Sequence, residues 1–200
     1  MIKSVLLLFT FLVFSFFSIG QKTKGTLVFK NGDTKEGLVK LSGSQEVKFR
    51  KNKKEKAVKF DFEKLDYAQI YFGKESHIYK NVLVSGKDSP MVLEEIVKGR
   101  VSLYNLFSQG YSVGFAPMGA GGAPMPTGGN FYSINNLYVL KESETNATHL
   151  GSNQLFTKNF KAAASEFFKD CPTLVDKIQN KEFKKKEIKA IVEFYNSHCQ

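Results

Sequence analysis

The side chains that could carry out chemistry in this chain are few and widely spaced. Its three histidines are His77, His149 and His198, and no two of them share the HxH or HxxxH spacing of a metal site. The GxSxG turn of a serine nucleophile is absent from the sequence. The residues therefore predict no metal, no other cofactor and no catalytic residue.

Paired carboxylates are the second candidate chemistry, because the hydrolysis of a glycan requires two of them. Glu94 and Glu95 are neighbours on a predicted strand, so their side chains face opposite sides of the sheet. Glu142 and Glu144 share a face only if their strand continues that far. A hydrolase would need a cleft that brings acids or a histidine together in space, which the order of residues does not reveal.

Two cysteines, Cys171 and Cys199, lie near the end of the chain, and neither belongs to a CxxC pair. Thioredoxin-like redox chemistry therefore has no support. In an exported protein an even number of cysteines favours a disulfide. Cys171 begins one predicted helix and Cys199 follows the end of the next, and a short connection makes such helices antiparallel. We predict a Cys171–Cys199 disulfide; the alternative is two reduced, buried thiols.

The first 20 residues have the anatomy of a secretory signal peptide. Lys3 gives a positive start, residues 5–19 are almost wholly apolar, and Ser18-Ile19-Gly20 supply small residues before the cleavage point. The apolar run has 15 residues, whereas a membrane-spanning helix needs about 20. We expect residues 1–20 to be removed and the mature protein to be periplasmic, on the outer surface or secreted, with no transmembrane helix. A retained anchor is the alternative.

The chain is basic, with a formal net charge of +10. Its arginines are Arg50 and Arg100, and the other cationic residues are lysines. Because arginine rather than lysine suits bidentate recognition of phosphate, we expect no specific nucleic-acid binding. A basic exported protein is suited to an anionic envelope component, such as lipopolysaccharide, teichoic acid, an acidic glycan or a membrane surface. The alternative is a solvated lysine-rich surface that keeps the protein soluble.

Apolar and β-branched runs separated by turn residues predict a β-rich domain over residues 21–150. Asn31-Gly32 marks the first hairpin turn, because both residues tolerate positive φ. The charged segment 51–56 is predicted to be an exposed hairpin tip, with an anion-binding patch as the alternative.

Residues 108–130 are rich in glycine and proline and interrupt this pattern. We expect a long loop between a strand ending at Phe107 and one over Phe131–Lys141, because glycine and proline disfavour helices and central strands. We take this loop to be a possible interaction loop or an inert insertion. Its candidate contact residues for a membrane or a protein partner are Tyr111, Phe115, Met118 and Met125.

From Leu155 onward the period of the apolar residues changes from two to about 3.6, which predicts a C-terminal helical region over residues 151–200. Asp170-Cys171-Pro172 separates the first helix from the second, because proline is tolerated in a first turn but not in a helix interior. The fold class is therefore α+β: an antiparallel, partly barrel-like β-sheet region followed by three C-terminal helices. The helices either cover one sheet face or form a separate bundle.

Three segments together resemble a family of uncharacterised exported proteins, cell-envelope or secreted, of Bacteroidetes-type bacteria. They are KGTLVFKNGDTKEGLV, VKGRVSLYNLF and FFKDCPTLVDKIQNKEFKKKEIKAIVEFYNSHC, and the DCP…FYNxxC tail is the most specific part. The resemblance covers most of the mature chain and implies a cell-envelope or secreted location. It implies no reaction, cofactor or functional residue.

The leading hypothesis for function is an exported, non-enzymatic binding or scaffold module of the cell envelope. One alternative is an envelope hydrolase acting on glycan or peptide. The other is an accessory subunit whose glycine-rich loop and sheet edge dock on a larger envelope complex. Oligomeric state does not follow from the sequence.

Overall fold

The computed structural model describes residues 23–116, 125–152 and 160–199. The described strands are β1 (Thr23–Phe29), β2 (Thr34–Ser42), β3 (Glu46–Arg50), β4 (Val58–Asp61), β5 (Leu65–Phe72), β6 (Glu75–Val82), β7 (Met91–Val97), β8 (Val101–Ala116), β9 (Met125–Lys141) and β10 (Thr148–Ser152). The described helices are α1 (Phe160–Phe167), α2 (Pro172–Gln179) and α3 (Ile188–His198). Short 3-10 turns lie at Phe62–Lys64 and Lys185–Glu187.

The ten strands form one antiparallel sheet in the order β10-β9-β8-β7-β6-β5-β1-β2-β3-β4. In the described ranges this sheet is open, with β4 and β10 at its edges. The α+β class and the three C-terminal helices are confirmed. The same described part of the chain contains no helix with both the length and the apolar character needed to cross a bilayer.

The first hairpin has the turn that its sequence predicts. Gly32 has a φ of 90°, a backbone conformation that glycine adopts without steric cost. The Asp33 N–H donates to Asn31 Oδ1 at 3.1 Å, so the asparagine side chain closes the turn. This turn fixes the pairing of β1 with β2, in which Gly25 lies opposite Gly37.

One hydrophobic core lies at the β1–β5 end of the sheet. Leu27, Val39, Val47 and Ile70 are almost wholly buried there, each on a different strand. Phe62, on the 3-10 turn after β4, is also buried in this core. These inward-facing residues follow the period-two alternation of half-buried strands.

A second core lies where the helices cover the other end of the same sheet. Leu174, Ile178, Ile188 and Ile191 are buried on α2 and α3. They share one cluster with Val101, Leu103, Val139 and Leu150 of β8, β9 and β10. The helices therefore pack on the sheet and do not form a separate bundle, which answers the question that the sequence left open.

The residues of the DCP…FYNxxC tail contact one another at the helical end of the protein. Cys171 and Cys199 form a disulfide with Cα atoms 5.5 Å apart, which agrees with the predicted pairing. Tyr195 Oη donates to Asp170 Oδ2 at 2.6 Å, and Lys141 Nζ lies 2.9 Å from the same oxygen. Burial and the hydrogen bond to Asp170 raise the pKa of Tyr195 to about 12, so this phenol stays protonated and remains a donor.

Asn196 attaches α3 to the start of β8. Its Nδ2 donates to the Val101 carbonyl and its Oδ1 accepts from the Val101 N–H, both at 2.9 Å. A Cβ on Gly99 would collide with the Asn196 amide group, which explains the glycine at that position. The VKGR and FYN segments of the sequence therefore contact each other, and their role in the structure is to hold the helices on the sheet.

The predicted loop over residues 108–130 is wrong for most of its length. β8 continues to Ala116 and β9 begins at Met125, and the two strands pair from Val101↔Lys141 to Ala116↔Met125. Mutual pairing of the two strands outweighs the low strand propensity of glycine, and a register shift between Val113 and Gly114 leaves Gly128 of β9 with no residue opposite it. Residues 117–124 lie outside the described residues.

Candidate functional site

A cleft of about 730 Å³ lies in the middle of the sheet. It lies where the β2–β3 turn approaches the connection between β6 and β7. Its polar side chains include His77, Tyr79, Glu94 and Asn105, and its apolar lining includes Leu41, Phe62, Phe72, Met91, Val92 and Leu106. We call it the central cleft.

The pairing of the strands explains why polar groups converge there. Tyr79 lies opposite Glu94, and Glu94 lies opposite Asn105, so the three residues form one row across β6, β7 and β8. The row continues to Ala68, which is in the first core, and to Leu137, which packs against the helical core. The central cleft therefore occupies the sheet face between the two cores.

His77 and Glu94 form a hydrogen-bonded pair in the central cleft. His77 Nδ1 lies 2.5 Å from Glu94 Oε1, and the side chains are 28% and 17% exposed. The ring of Phe72 meets the imidazole edge to face, with 5.1 Å between centroids. With Nδ1–H donated to the carboxylate, the Nε2 atom of a neutral His77 keeps its lone pair and can accept a proton or a hydrogen bond. The exposed carboxylate of Glu75 lies 3.7 Å from this Nε2 atom.

Tyr79 adds a protonated phenol to this group. Burial, and then the negative charge of Glu94, raise its pKa to about 12. Because the phenol keeps its proton at neutral pH, it can donate a hydrogen bond to a ligand.

Two side-chain amides complete the polar lining. The Gln45 side chain donates to the Pro90 carbonyl, which joins the β2–β3 turn to the β6–β7 connection at the rim. The Phe62 N–H donates to the Gln45 carbonyl at 2.9 Å. Gln45 Oε1 and Asn105 Oδ1 are buried acceptors that find no hydrogen-bond partner among the described residues, and unsatisfied buried acceptors often mark a place where a water or ligand belongs.

This arrangement can bind a small molecule that has an apolar body and a polar end. His77 offers a hydrogen-bond acceptor or a base, Tyr79 offers a hydrogen-bond donor, and the aromatic side chains of the lining offer apolar contact. In the ranges that the structure describes, no group of three His, Cys, Asp or Glu side chains could hold a metal ion.

The predicted site residues lie elsewhere. Cys171 and Cys199 are in the helical core, away from the central cleft. Tyr111, Phe115 and Met125 belong to the paired strands β8 and β9, and Met118 lies outside the described residues. Their contact with a membrane or partner stays a prediction.

Sequence reasoning missed the pairing of His77 with Glu94. The available signal was limited to Glu94, which interrupts the apolar strand β7, whereas β6 is mostly polar around His77. Glu94 and Glu95 do face opposite sides, as predicted: Glu95 pairs with Lys80 at 2.7 Å and is 5% exposed. Whether Glu94 or Glu95 contacts His77 depends on the register between β6 and β7, and local sequence does not fix that register across the connecting residues 83–90.

A scan of the chain against protein-family models finds no match, and searches of curated proteins and of solved structures find no similar protein. The resemblance to exported proteins of Bacteroidetes-type bacteria therefore stays a prediction.

Proposed function

We propose that the protein is an exported, non-enzymatic binding module of the cell envelope and that the central cleft is its ligand site. The observation that carries this proposal is the convergence of His77, Tyr79 and Glu94 in the cleft of about 730 Å³. A cavity of this size with a mainly apolar lining and a few oriented polar groups is typical of small-molecule sites.

The lining indicates the chemistry of the ligand. Phe72, Met91 and Val92 favour an apolar body, because covering their surface removes it from water. Tyr79 suits an acceptor on the ligand, and His77 Nε2 suits a donor. The ligand is therefore a small amphipathic organic molecule.

Export is supported by the predicted leader and by the disulfide, because disulfides persist mainly in oxidising compartments. The resemblance to exported proteins points to the same location. The anionic envelope component predicted from the net charge remains a second partner class, separate from the central cleft.

A fluorescent apolar probe tests the cleft directly. N-phenyl-1-naphthylamine is neutral, and its emission rises when it enters an apolar site. We expect saturable one-to-one binding to the purified, oxidised protein. The double variant Ser44→Trp/Ser89→Trp adds bulk at two exposed cleft-lining positions on the rim, and we expect it to weaken binding at least tenfold.

The matched control is Ser85→Trp, at an exposed position that does not line the cleft, and its affinity should stay within twofold of the wild type. Circular dichroism shows whether each variant remains folded. Absence of saturable binding, or equal weakening by the rim and control variants, contradicts the proposal.

The His77–Glu94 pair also favours a second candidate, hydrolysis of a glycan or peptide. For a peptide, His77 Nε2 takes a proton from water as the water oxygen bonds to the carbonyl carbon; the C–N bond of the tetrahedral intermediate then breaks, and the proton passes to the leaving amine. A glycan would require a second carboxylate beside Glu94. Fluorescently labelled peptidoglycan and casein are suitable substrates. Wild-type turnover that falls about 100-fold or more in His77→Gln, but not in His149→Gln, supports the hydrolase. No turnover by the wild type counts against it.

A further inference from the structure

We propose that a second concavity, on β1, β2 and the β3–β4 tip, binds an acidic polysaccharide. This lysine groove has a volume of about 560 Å³ and is lined by Lys24, Lys51, Lys53, Thr26, Leu38 and Tyr71, among others. It shares no lining residue with the central cleft, so it does not depend on the function proposed for that cleft.

Paired strands form the floor of the lysine groove. Lys24 lies opposite Leu38 on β1 and β2, and the next pair along the two strands is Gly25 with Gly37. A Cβ on Gly25 would lie 2.8 Å from Val39 Cγ2, which is too close for a real contact. The absence of side chains at this pair lets the two strands lie against the core, and the groove forms above them.

Within the described ranges, the groove lysines are not neutralised by ion pairs. Lys24, Lys51 and Lys53 make no ion pair in the described part of the chain. Glu36 also lines the groove, so the four charged residues leave a surplus of two positive charges. A concave surface with a cationic surplus attracts anions more strongly than a flat one, because its walls focus the field.

Asn52 keeps the tip lysines available. Its Oδ1 accepts from the backbone N–H groups of Lys54 and Glu55 at 3.0 and 3.2 Å. Its Nδ2 donates to Glu55 Oε1 at 2.7 Å. The nearest acid of the tip is therefore bound to Asn52, and it leaves Lys51 and Lys53 unpaired beside the groove.

Tyr71 favours a sugar over other anions. It is 37% exposed and lines the groove from β5, on the other side of β1 from Leu38. The C–H face of a pyranose ring is weakly positive and packs well on the negative face of an aromatic ring. Lysines beside an aromatic ring therefore match a ring that carries a carboxylate or sulfate.

The charge of this end of the sheet favours a polymer. Residues 24–64 contain twelve Lys or Arg against six Asp or Glu, so the strands that form the groove carry a net positive charge beyond the groove lysines themselves. An acidic polysaccharide can follow such a surface with successive residues, whereas a single anion would be held weakly against water and salt.

The test measures binding of the purified, oxidised protein to heparin and polygalacturonate by surface plasmon resonance at 50 mM and 300 mM NaCl. We expect binding to both glycans at low salt and at least tenfold weaker binding at high salt. The triple variant Lys24→Gln/Lys51→Gln/Lys53→Gln should bind at least tenfold more weakly at 50 mM NaCl. Tyr71→Leu should weaken glycan binding at least threefold without altering the weak binding to polyglutamate, which has no sugar ring.

A triple variant of equal charge is the matched control. Lys87→Gln/Lys98→Gln/Lys186→Gln removes three exposed lysines outside the groove and should change affinity less than twofold. Equal losses in the two triple variants would overturn the proposed site, and so would no binding at 50 mM NaCl. Binding to phosphatidylglycerol vesicles without binding to either glycan would overturn the polysaccharide in favour of a membrane surface.

Discussion

Reduction of the Cys171–Cys199 bond should markedly destabilise the helical end of the protein. The bond closes a loop with a sequence separation of 28 residues. Restricting the unfolded chain to a loop of this length contributes about 3.6 kcal/mol at 25 °C in the chain-entropy model. Both cysteines are only 4% exposed and belong to the core between helices and sheet, so loss of the bond acts on the packed region itself.

Urea denaturation of the oxidised and the reduced protein measures this contribution. Reduction breaks one bond and removes no side-chain heavy atom, so it leaves no cavity to confound the comparison. We expect the free energy of unfolding to fall by about 3–4 kcal/mol. For a chain of this size the corresponding fall in Tm is about 7–14 °C.

The double variant Cys171→Ala/Cys199→Ala is the control, because its stability should not respond to reductant. A difference below about 1 kcal/mol between the oxidised and reduced protein would refute the chain-entropy reasoning for this loop. Two free thiols in the denatured, unreduced protein would refute the disulfide itself.

Three further predictions concern single residues. Asn196→Ala should lower the free energy of unfolding, measured by urea denaturation, by about 1–3 kcal/mol, because the Val101 N–H and carbonyl lose their partner. The control Ser197→Ala should change it by no more than about 0.5 kcal/mol. Equal effects of the two variants would contradict the role of Asn196 in attaching α3 to β8. Burial acts to raise the pKa of Asp170, but hydrogen bonds from Tyr195 and Lys141 outweigh it and lower that pKa. The charged Asp170 carboxylate therefore stabilises the fold fully above its ordinary pKa of 3.8, and this contribution is lost as pH falls through the lower pKa of the folded state. In Asp170→Asn the free energy of unfolding should fall less steeply as the pH is lowered through this range. An unchanged slope would contradict the assignment. Tyr79, with a pKa of about 12, should ionise at a higher pH than an ordinary tyrosine in an ultraviolet titration. Tyr79→Phe should therefore remove one phenol that ionises at high pH. Loss of a phenol that ionises near the ordinary tyrosine pKa would show that burial and Glu94 do not raise the pKa of Tyr79.

Much of the fold follows from local patterns in the sequence. Alternating apolar residues and Asn31-Gly32 predict the first hairpin, and the 3.6-residue period predicts the helices. The disulfide is predictable because two short helices with a short connection bring Cys171 near Cys199. These features depend on contacts between neighbouring segments, which the sequence reveals directly.

The features that were missed depend on pairing over longer distances. The glycines of residues 108–116 and 125–130 disfavour strands locally, but the partner strand supplies the hydrogen bonds that hold these two segments extended. β10, Thr148–Ser152, is short, and its register shifts between His149 and Gly151, so the sequence carries little alternation there. The His77–Glu94 contact depends on the register that follows residues 83–90, which local propensity does not determine.

The central claim, that the cleft beside His77 is a ligand site, is tested most directly by backbone NMR of the oxidised, ¹⁵N-labelled protein titrated with N-phenyl-1-naphthylamine. The account predicts saturable shifts at the amides of Tyr79, Glu94 and Asn105, with little change on α2 and α3. Shifts confined to the helices, or no saturable shift at these three residues, would contradict it.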